Sequence, residues 1–253
     1  MTTIASSGGA ELEGHLAEPS GGQEGRPGLV LCHGFPSGQV SARVVGGDLA
    51  ELADRAAREM GWVALSFRFR GCGRSTGDFS LASWVDDARA AMAHLRRDGR
   101  PDSMWVVGFG TGGAVGLAAA VAEEDVAGAA LLGTPADFDD WARDPERLLA
   151  HAHAVGAIRR ASFPQDPLRW KAELSEIRAS AAAEAFGERP LLVVHGSEDD
   201  LVPSFDSRII ADAHGDAELR IIDGAGHQLR HDPRAIAILL GWLDRQRGLS
   251  FPG

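Results

Sequence analysis

Cysteine, lysine and tyrosine are scarce in this chain of 253 residues. Cysteine occurs only at Cys32 and Cys72, lysine occurs only at Lys171, and tyrosine does not occur at all. Two cysteines are too few for the disulfide framework of a small secreted scaffold, and so low a number is typical of proteins in the reducing cytoplasm. The sequence therefore predicts a cytoplasmic protein.

Long apolar segments and clusters of positive charge are also missing. No apolar run approaches the roughly 18 residues of a membrane-spanning helix, and the N-terminal sequence lacks the basic start and apolar stretch of a secretory signal. Acidic residues outnumber basic ones by 36 to 25, which gives a formal net charge of -11. The arginine pairs at 96–97 and 159–160 are too sparse to attract phosphate backbones against that charge. We therefore expect neither a membrane nor a nucleic acid as partner.

The chain has the size and composition of one ordinary soluble domain. Hydrophobic residues make up 44% and charged residues 24% of the sequence, and a chain of this length buries enough surface to fold without disulfides or metal. We therefore expect residues 1–253 to form a single domain, with no metal or other cofactor and with a small molecule as substrate or ligand. The 32 glycines are more than average, and nothing in the sequence indicates an oligomeric state.

Short apolar runs alternate with amphipathic segments along the chain, which is the pattern of an α/β protein with a mostly parallel sheet. The predicted strands are residues 11–17, 28–32, 62–67, 103–107, 126–132, 190–194 and 218–222. Most of them are apolar throughout, as expected of parallel strands that helices cover on both faces.

Two predicted helices have recognisable starts. Residues 80–97 follow the 3.6-residue period behind Ser80, which is a favourable N-cap. The last helix begins at Asp232 and Pro233, a cap residue followed by proline at the first helical position. Its predicted buried stripe consists of Ile236, Leu239, Leu240 and Leu243.

Residues 137–188 connect two predicted strands and are far longer than the usual connection. They contain helical segments at 141–155 and 167–185, on either side of a turn at Phe163 and Pro164. We expect this segment to form a small helical cap over a site.

Four polar motifs follow directly after predicted strands, where open α/β sheets build their sites. They are residues 33–36 (HGFP), 68–75 (RFRGCGRS), 195–203 (HGSEDDLVP) and 223–227 (DGAGH). Each motif is weak by itself, but in this order they resemble the α/β-hydrolase fold, and in particular serine esterases and acyl-peptidases. The resemblance covers about residues 28–243 and implies a mostly parallel sheet flanked by helices, with a small helical cap after the sixth strand.

The resemblance also implies roles for individual residues. Asp199 takes the position of the acid and His227 that of the base in a catalytic triad, while the backbone N–H groups of Phe35 and Thr111 would form an oxyanion hole. In such a site the histidine accepts a proton, and the carboxylate fixes the tautomer of the ring and stabilises the imidazolium.

The chain departs from the family at the nucleophile. The nucleophile elbow reads G-x-S-x-G between a strand and a helix, whereas residues 108–112 read GFGTG and place Gly110 at the serine position. The elbow residue has a strained left-handed backbone, which glycine adopts at little cost, so the fold tolerates the change. Because Gly110 has no side chain, an acyl-enzyme on this residue is excluded.

The same glycine run permits two rival interpretations. Gly108, Gly110 and Gly113 match the G-x-G-x-x-G pattern of dinucleotide-binding proteins, and residues 108–112 resemble the G-x-G-x-G of methyltransferases that bind S-adenosylmethionine. Both sites require an acidic residue at the end of the next strand to hold a ribose, and the predicted strand 126–132 does not end in one. Nucleotide binding is therefore the weaker hypothesis.

Other side chains offer alternatives for the nucleophile and the acid. Thr111 carries a hydroxyl one position beyond the elbow, but that shift points it elsewhere, and Cys72 is more simply explained by packing. A register error of one residue would move the acid to Glu198 or Asp200, and Asp137 is a further, weaker alternative.

Four further histidines have structural explanations. His33 and His195 each precede a glycine turn and are expected to hold that turn. His151 and His153 are two residues apart on a predicted helix, so their side chains diverge and form a poor pair of metal ligands.

Three functions therefore remain open. In the first, the chain is an enzyme whose His227 and Asp199 activate water or abstract a proton without a covalent intermediate. In the second it is a small-molecule binding protein, and in the third it is a catalytically silent relative of such enzymes. Retention of the acid, the base and the oxyanion turn favours the first, with a small ester or acyl compound as substrate.

Overall fold

A sheet of eight strands runs through the part of the chain that the computed structural model describes, residues 1–21, 25–37 and 40–249. The strands are β1 (Thr2–Ala5), β2 (Glu11–Ala17), β3 (Gly28–Cys32), β4 (Val63–Phe67), β5 (Met104–Phe109), β6 (Val126–Leu132), β7 (Leu191–Gly196) and β8 (Glu218–Ile222). Their order across the sheet is β1-β2-β4-β3-β5-β6-β7-β8. β2 pairs antiparallel with both β1 and β4, and all the other pairs are parallel. The predicted mostly parallel sheet is confirmed.

The strands differ from the predicted ones mainly at their carboxyl ends. β5 continues through Phe109 and β7 through Gly196, in each case beyond the last residue of the apolar run. The ladder continues there because it needs only backbone groups, as the pairing of Gly108 with Cys32 of β3 shows. No strand is predicted for β1, because a segment of four residues is too short to show a period. The longer strands carry the polar motifs to the very edge of the sheet.

Helices cover both faces of this sheet. They are α1 (Leu49–Arg55), α2 (Leu81–His94), α3 (Thr111–Ala120), α4 (Asp139–Arg143), α5 (Pro145–Val155), α6 (Pro167–Glu176), α7 (Ala179–Phe186), α8 (Ser204–His214) and α9 (Pro233–Leu249). Ser80 caps α2 as predicted, since its side chain accepts a hydrogen bond from the Ser83 amide at 3.1 Å. Within the described residues, no helix combines the length and hydrophobicity that crossing a bilayer requires.

The core has two halves, one on each face of the sheet. Along β3, Leu29 and Leu31 belong to the half that packs under α1 and α9, whereas Val30 and Cys32 belong to the half under α2 and α3. This alternation is the period-2 geometry of a strand that is buried on both faces.

The buried stripe of α9 is shifted from the predicted one. Leu239 and Leu243 are buried as expected, but Leu240 is only half-buried, and Trp242 takes the place predicted for it in the core. The ring of Trp242 packs edge-on against that of Trp105, with 5.4 Å between the centroids. A large aromatic ring therefore sets the rotation of the helix.

The segment 137–188 divides into two parts. Helix α4 packs against both α5 and α6, and α6 also contacts α2. Helix α7, in contrast, packs against α3 and α8 in the layer that covers the sheet. The helical insertion after the sixth strand is present, but the part that forms the cap ends before α7.

A buried ion pair joins the N-terminal hairpin to the rest of the domain. The guanidinium of Arg70 lies 2.6 Å from the carboxylate of Asp87 on α2, whose side chain is completely buried. The same carboxylate accepts a hydrogen bond from the Ser6 hydroxyl at 2.6 Å and from the Arg70 amide at 2.9 Å. Three separate segments of the chain are thereby held by one side chain.

Replacement of Asp87 by alanine should lower the free energy of unfolding by about 3–5 kcal/mol, because Arg70 would keep a buried charge without its partner. Asp86→Ala is the matched control, since the neighbouring carboxylate is exposed, and should change stability by less than about 0.5 kcal/mol. Urea unfolding at neutral pH measures both, and equal losses in the two variants would contradict the assigned role of the ion pair.

Candidate active site

The turn between β5 and α3 places Gly110 in a backbone conformation with positive φ. Its φ is 53° and its ψ is -129°, and its amide donates to the carbonyl of Leu132 at 2.9 Å. A non-glycine residue in such a conformation costs about 1–3 kcal/mol, whereas glycine adopts it without strain. Gly110 therefore stands at a sharp strand-to-helix turn.

The glycines on either side allow the close approach of α3 to the sheet. A Cβ atom on Gly108 would lie 2.3 Å from the Cα of Gly113, and a Cβ on Gly112 would lie 2.2 Å from the carbonyl oxygen of His33. Neither contact is possible for a real side chain, so both positions require glycine. Thr111, between them, is buried and begins α3, where the first amides of a helix have no partner within the helix.

His227 and Asp199 meet across the loops that follow β8 and β7. The His227 Nδ1 lies 2.8 Å from the Asp199 Oδ2, the carboxylate is completely buried and the imidazole is 21% exposed. A Cβ atom on Gly110 would lie 3.6 Å from the His227 Nε2. The structure thus brings together three of the predicted site residues, with the second nitrogen of the ring facing the turn at Gly110.

The Asp199 carboxylate is surrounded by hydrogen-bond donors. Its Oδ1 accepts from the amides of Leu201 at 3.0 Å and Val202 at 2.9 Å, while Oδ2 accepts from His227 and lies 3.2 Å from the His195 Nε2. Burial opposes ionisation, but the hydrogen bonds from His195, His227 and Val202 outweigh it and hold the pKa of Asp199 well below its ordinary value. Asp199 is therefore ionised at neutral pH.

The other carboxylates considered from the sequence lie elsewhere. Glu198 and Asp200 are exposed on either side of Asp199, and Asp137 pairs with Arg178 at 3.4 Å. The fold therefore brings only the middle carboxylate of the run 198–200 to the histidine.

His195 has more contact with the site than its position before a glycine turn indicates. It is completely buried, and its Nε2 donates to the Val202 carbonyl at 3.0 Å while lying near Asp199. Its Nδ1 has no hydrogen-bond partner among the described residues. The spacing of four residues between His195 and Asp199 was the available signal, because the first lies at the end of β7 and the second lies in the tight loop that follows.

His33 fixes the turn that carries Phe35. Its Nδ1 donates to the Gly34 carbonyl at 2.8 Å, and its Nε2 accepts from the Phe69 amide at 3.0 Å. One donor and one acceptor require the neutral ring, and burial lowers the pKa of His33 to about 4. A Cβ on Gly34 would lie 3.0 Å from the Phe109 carbonyl oxygen, so this turn is packed directly against the strand that leads to Gly110.

A small cavity of about 60 Å³ opens where these turns meet. Its lining in the described part of the chain is Gly34, Phe35, Ser37, Val40, Val45, Phe109, Gly110, Leu201, His227, Gln228, Leu229 and Arg230. None of these residues comes from the segment 137–188, so loops rather than the cap surround the cavity. Arg230 was missed by the sequence analysis, because the motif around the histidine ends at His227.

The cap contacts the turn that carries Phe35, although it does not line the cavity. The Phe35 ring lies 5.3 Å from that of Trp141 on α4 and 4.5 Å from that of Phe79. On α5, His151 donates from Nε2 to the Pro36 carbonyl at 3.2 Å. This side chain therefore binds the backbone next to Phe35 and does not pair with His153 in a metal site.

Cys72 does not provide a nucleophile. Its side chain is buried, and burial raises the pKa of the thiol to about 12. Cys32 lies in β3 and is buried as well. Both cysteines are thus core residues, as expected.

The stability of the fold should depend on pH through His33. Because its pKa of about 4 in the folded protein lies below the ordinary value of about 6.5, only the unfolded chain binds this proton between those limits. The free energy of unfolding should therefore be highest above that window and fall by up to about 1.4 kcal/mol per pH unit within it. Urea unfolding from pH 7 to 4 measures this fall, which should be smaller in His33→Gln and unchanged in the exposed His231→Gln. An unchanged slope in His33→Gln would contradict the assignment.

The comparisons with known proteins agree with this fold. Residues 29–239 match the profile of the Alpha/beta hydrolase family. An uncharacterized protein of Mycobacterium tuberculosis is 31% identical over 229 residues, which cover 90% of this chain and 71% of that protein. A monoacylglycerol lipase of Mycolicibacterium smegmatis is 31% identical over 105 residues, which cover 41% of this chain and 36% of the lipase.

One solved structure with the same architecture is Est1E from Butyrivibrio proteoclasticus, with ferulic acid bound. It has a TM-score of 0.72 and 19% identity, and the alignment covers 99% of this chain and 98% of that one. With the family profile matched over most of its length, the chain belongs to the alpha/beta hydrolase family.

Proposed function

We propose that this protein hydrolyses small esters or related acyl compounds without an acyl-enzyme intermediate. Gly110 occupies the position at which a nucleophilic serine would stand, and His227 activates water directly with Asp199 as its partner. One observation carries the proposal: the Nε2 of His227 lies 3.6 Å from where a Cβ on Gly110 would be, while Nδ1 is held by a buried carboxylate. The base is therefore oriented toward Gly110, although this residue has no hydroxyl.

Water takes the part of the serine hydroxyl in this scheme. The cavity of about 60 Å³ has room for it, since a water molecule needs only about 10–15 Å³ of such volume. His227 removes a proton from this water through Nε2 as the oxygen attacks the carbonyl carbon of the ester. The Nδ1–H bond to Asp199 stabilises the imidazolium that forms.

The negative charge that develops on the carbonyl oxygen is met by the backbone N–H groups of Phe35 and Thr111. Both belong to turns that are rigidly packed around Gly110, so the donors need little reorganisation during the reaction. When the tetrahedral intermediate collapses, His227 returns the proton to the leaving alkoxide. The products are a carboxylic acid and an alcohol, and the histidine is neutral again.

An ester substrate is favoured by the relatives. The lipase of Mycolicibacterium smegmatis acts, by its name, on monoacylglycerols, and Est1E was solved with an aromatic carboxylic acid. Both compounds contain an acyl group, and a histidine base with an oxyanion hole is suited to reactions at acyl groups.

A silent binding protein is the second candidate, and the glycine at position 110 favours it. The chain has a cavity but no nucleophilic side chain at position 110. The same combination is expected of a protein that binds a small molecule without reacting with it. Nucleotide binding has less support, because Gly108 and Gly112 are required for contacts with the protein's own backbone. Those glycines are thus explained without a ligand.

Four proteins distinguish these functions in a hydrolysis assay with 4-nitrophenyl acetate and butyrate. The unaltered protein should hydrolyse the esters above the buffer rate, and His227→Ala should lower that rate by about 10²–10⁴-fold, the usual contribution of a general base. His153→Ala, on the cap, is the matched histidine control and should retain the activity. Gly110→Ser should react with a fluorophosphonate probe that leaves the unaltered chain unlabelled.

The outcomes separate the candidates. Activity in Gly110→Ser alone would overturn the water mechanism and favour a silent relative with intact machinery. If no variant hydrolyses any ester, the ester proposal is wrong and binding becomes the better explanation. Labelling of the unaltered chain by the probe would contradict the exclusion of a serine nucleophile.

Gly110→Ser should also cost stability. Because φ is 53° at this position, a side chain there should lower the free energy of unfolding by about 1–3 kcal/mol. Gly241→Ser is the control, since a Cβ on this helical glycine meets no atom within 4 Å and should be neutral or slightly stabilising. Urea unfolding compares the two, and equal effects would show that the backbone conformation at position 110 does not disfavour a side chain.

A further inference from the structure

Arg230 brings a positive charge to the cavity that contains His227. It lies in the short turn Leu229–His231 and lines the cavity beside His227 and Gly110. Its side chain is 16% exposed, so its charge is only partly screened by solvent. The described lining contains no acidic side chain.

The guanidinium uses only one of its nitrogens within the protein. Nε donates to the Asp48 Oδ2 at 2.8 Å, and in the described residues the two Nη groups have no hydrogen-bond partner. A guanidinium has five N–H donors. Four donors are thus not used by the described residues and are available to a ligand.

Asp48 orients Arg230 from outside the cavity. Its carboxylate is 35% exposed, does not line the cavity, and lies 3.5 Å from the Nε2 of His231 as well. Because it is shared and partly solvated, Asp48 offsets the charge of Arg230 only in part. Its geometric effect is to occupy Nε and to leave the two-nitrogen end of the guanidinium free.

We propose that Arg230 binds a carboxylate of the substrate, so that the preferred substrates are esters that carry a second, free carboxylate, such as half-esters of short dicarboxylic acids. The inference rests on the proposed function for the reaction, but the recognition of the carboxylate can be measured separately. The two Nη groups match the two oxygens of a carboxylate in the paired geometry that arginine favours. The small cavity restricts the distance between the ester and the carboxylate to a few bonds.

Binding is tested with a matched pair of ligands that cannot be hydrolysed. The ligand 4-oxopentanoate carries a ketone and a carboxylate, and 5-methyl-2-hexanone has the same shape with an uncharged isopropyl group. In a calorimetric titration, 4-oxopentanoate should bind at least about 10-fold more tightly than the neutral ketone. The reason is that a hydrogen-bonded charge pair strengthens binding by about 10–100-fold. Arg230→Gln should remove this preference and leave the affinity for the neutral ketone within about 3-fold.

Two further variants keep the test decisive if Arg230→Gln folds poorly. Asp48→Asn should raise the affinity for 4-oxopentanoate by a few-fold, because the substitution removes the competing negative charge and leaves Arg230 in place. Arg234→Gln is the control, since Arg234 pairs with Asp232 at 2.7 Å and does not line the cavity. It should bind both ligands as the unaltered protein does.

Turnover is measured with the corresponding esters, monomethyl succinate and methyl 4-methylpentanoate. Preference of the unaltered protein for the neutral ester, or equal weakening of both ligands in Arg230→Gln, would overturn the inference and leave the proposed hydrolysis standing. Arg230-dependent binding of 4-oxopentanoate without hydrolysis of either ester would support carboxylate recognition and overturn the proposed reaction. The two ideas therefore fail in different arms of the experiment.

Discussion

The buried carboxylate of Asp199 is the constraint on which the arrangement of the site depends. A charge removed from water is tolerated only where donors replace the water around it. Here the donors come from the amides of its own loop, from His195 at the end of β7 and from His227 in the loop after β8. Satisfying one side chain thus fixes two loops relative to each other. The same requirement orients His227, because only its Nδ1 is used and Nε2 remains directed toward Gly110.

Close backbone packing supplies the other half of the site. The glycines at 108 and 112 allow α3 to begin directly against β3 and β5. Neutral His33 then ties the turn with Phe35 to the chain after β4 through Phe69. The close contacts of the two glycines and the hydrogen bonds of the His33 ring therefore hold the main-chain donors around Gly110 in place. The strain normally stored at such a turn is absent, because glycine occupies it.

Local sequence pattern was sufficient for seven of the eight strands and for the order of the motifs, because strand periodicity and turn chemistry are local properties. The family followed from the resemblance that those motifs carry. Local pattern was insufficient where several residues of one type are adjacent. Residues 198–200 are all acidic, and only the packed loop decides that the middle carboxylate is turned inward. The rotation of α9 could not be predicted either, because Trp242 and Leu240 are both apolar and only the three-dimensional core selects between them.

The limits of the cap and the role of Arg230 required the structure for a related reason. An amphipathic helix has the same pattern whether it covers a sheet or a cap, so α7 could not be separated from α4–α6 in the sequence. Arg230 lies outside any motif, and its relation to the cavity results from the turn after His227. Its partner Asp48 is distant in the chain, which no local pattern reveals.

The contact of the cap with Phe35 has a consequence for substrate selection. The ring of Phe35 packs with Trp141 and Phe79, while its backbone N–H is a proposed donor to the reacting oxygen. A ligand large enough to displace α4 would therefore also tilt this turn and misalign the donor. Such a ligand could still bind, but it would be held in an unreactive geometry. In this protein, size discrimination would thus appear in the rate of the reaction rather than in affinity, and the cap would exert it through its contact with Phe35.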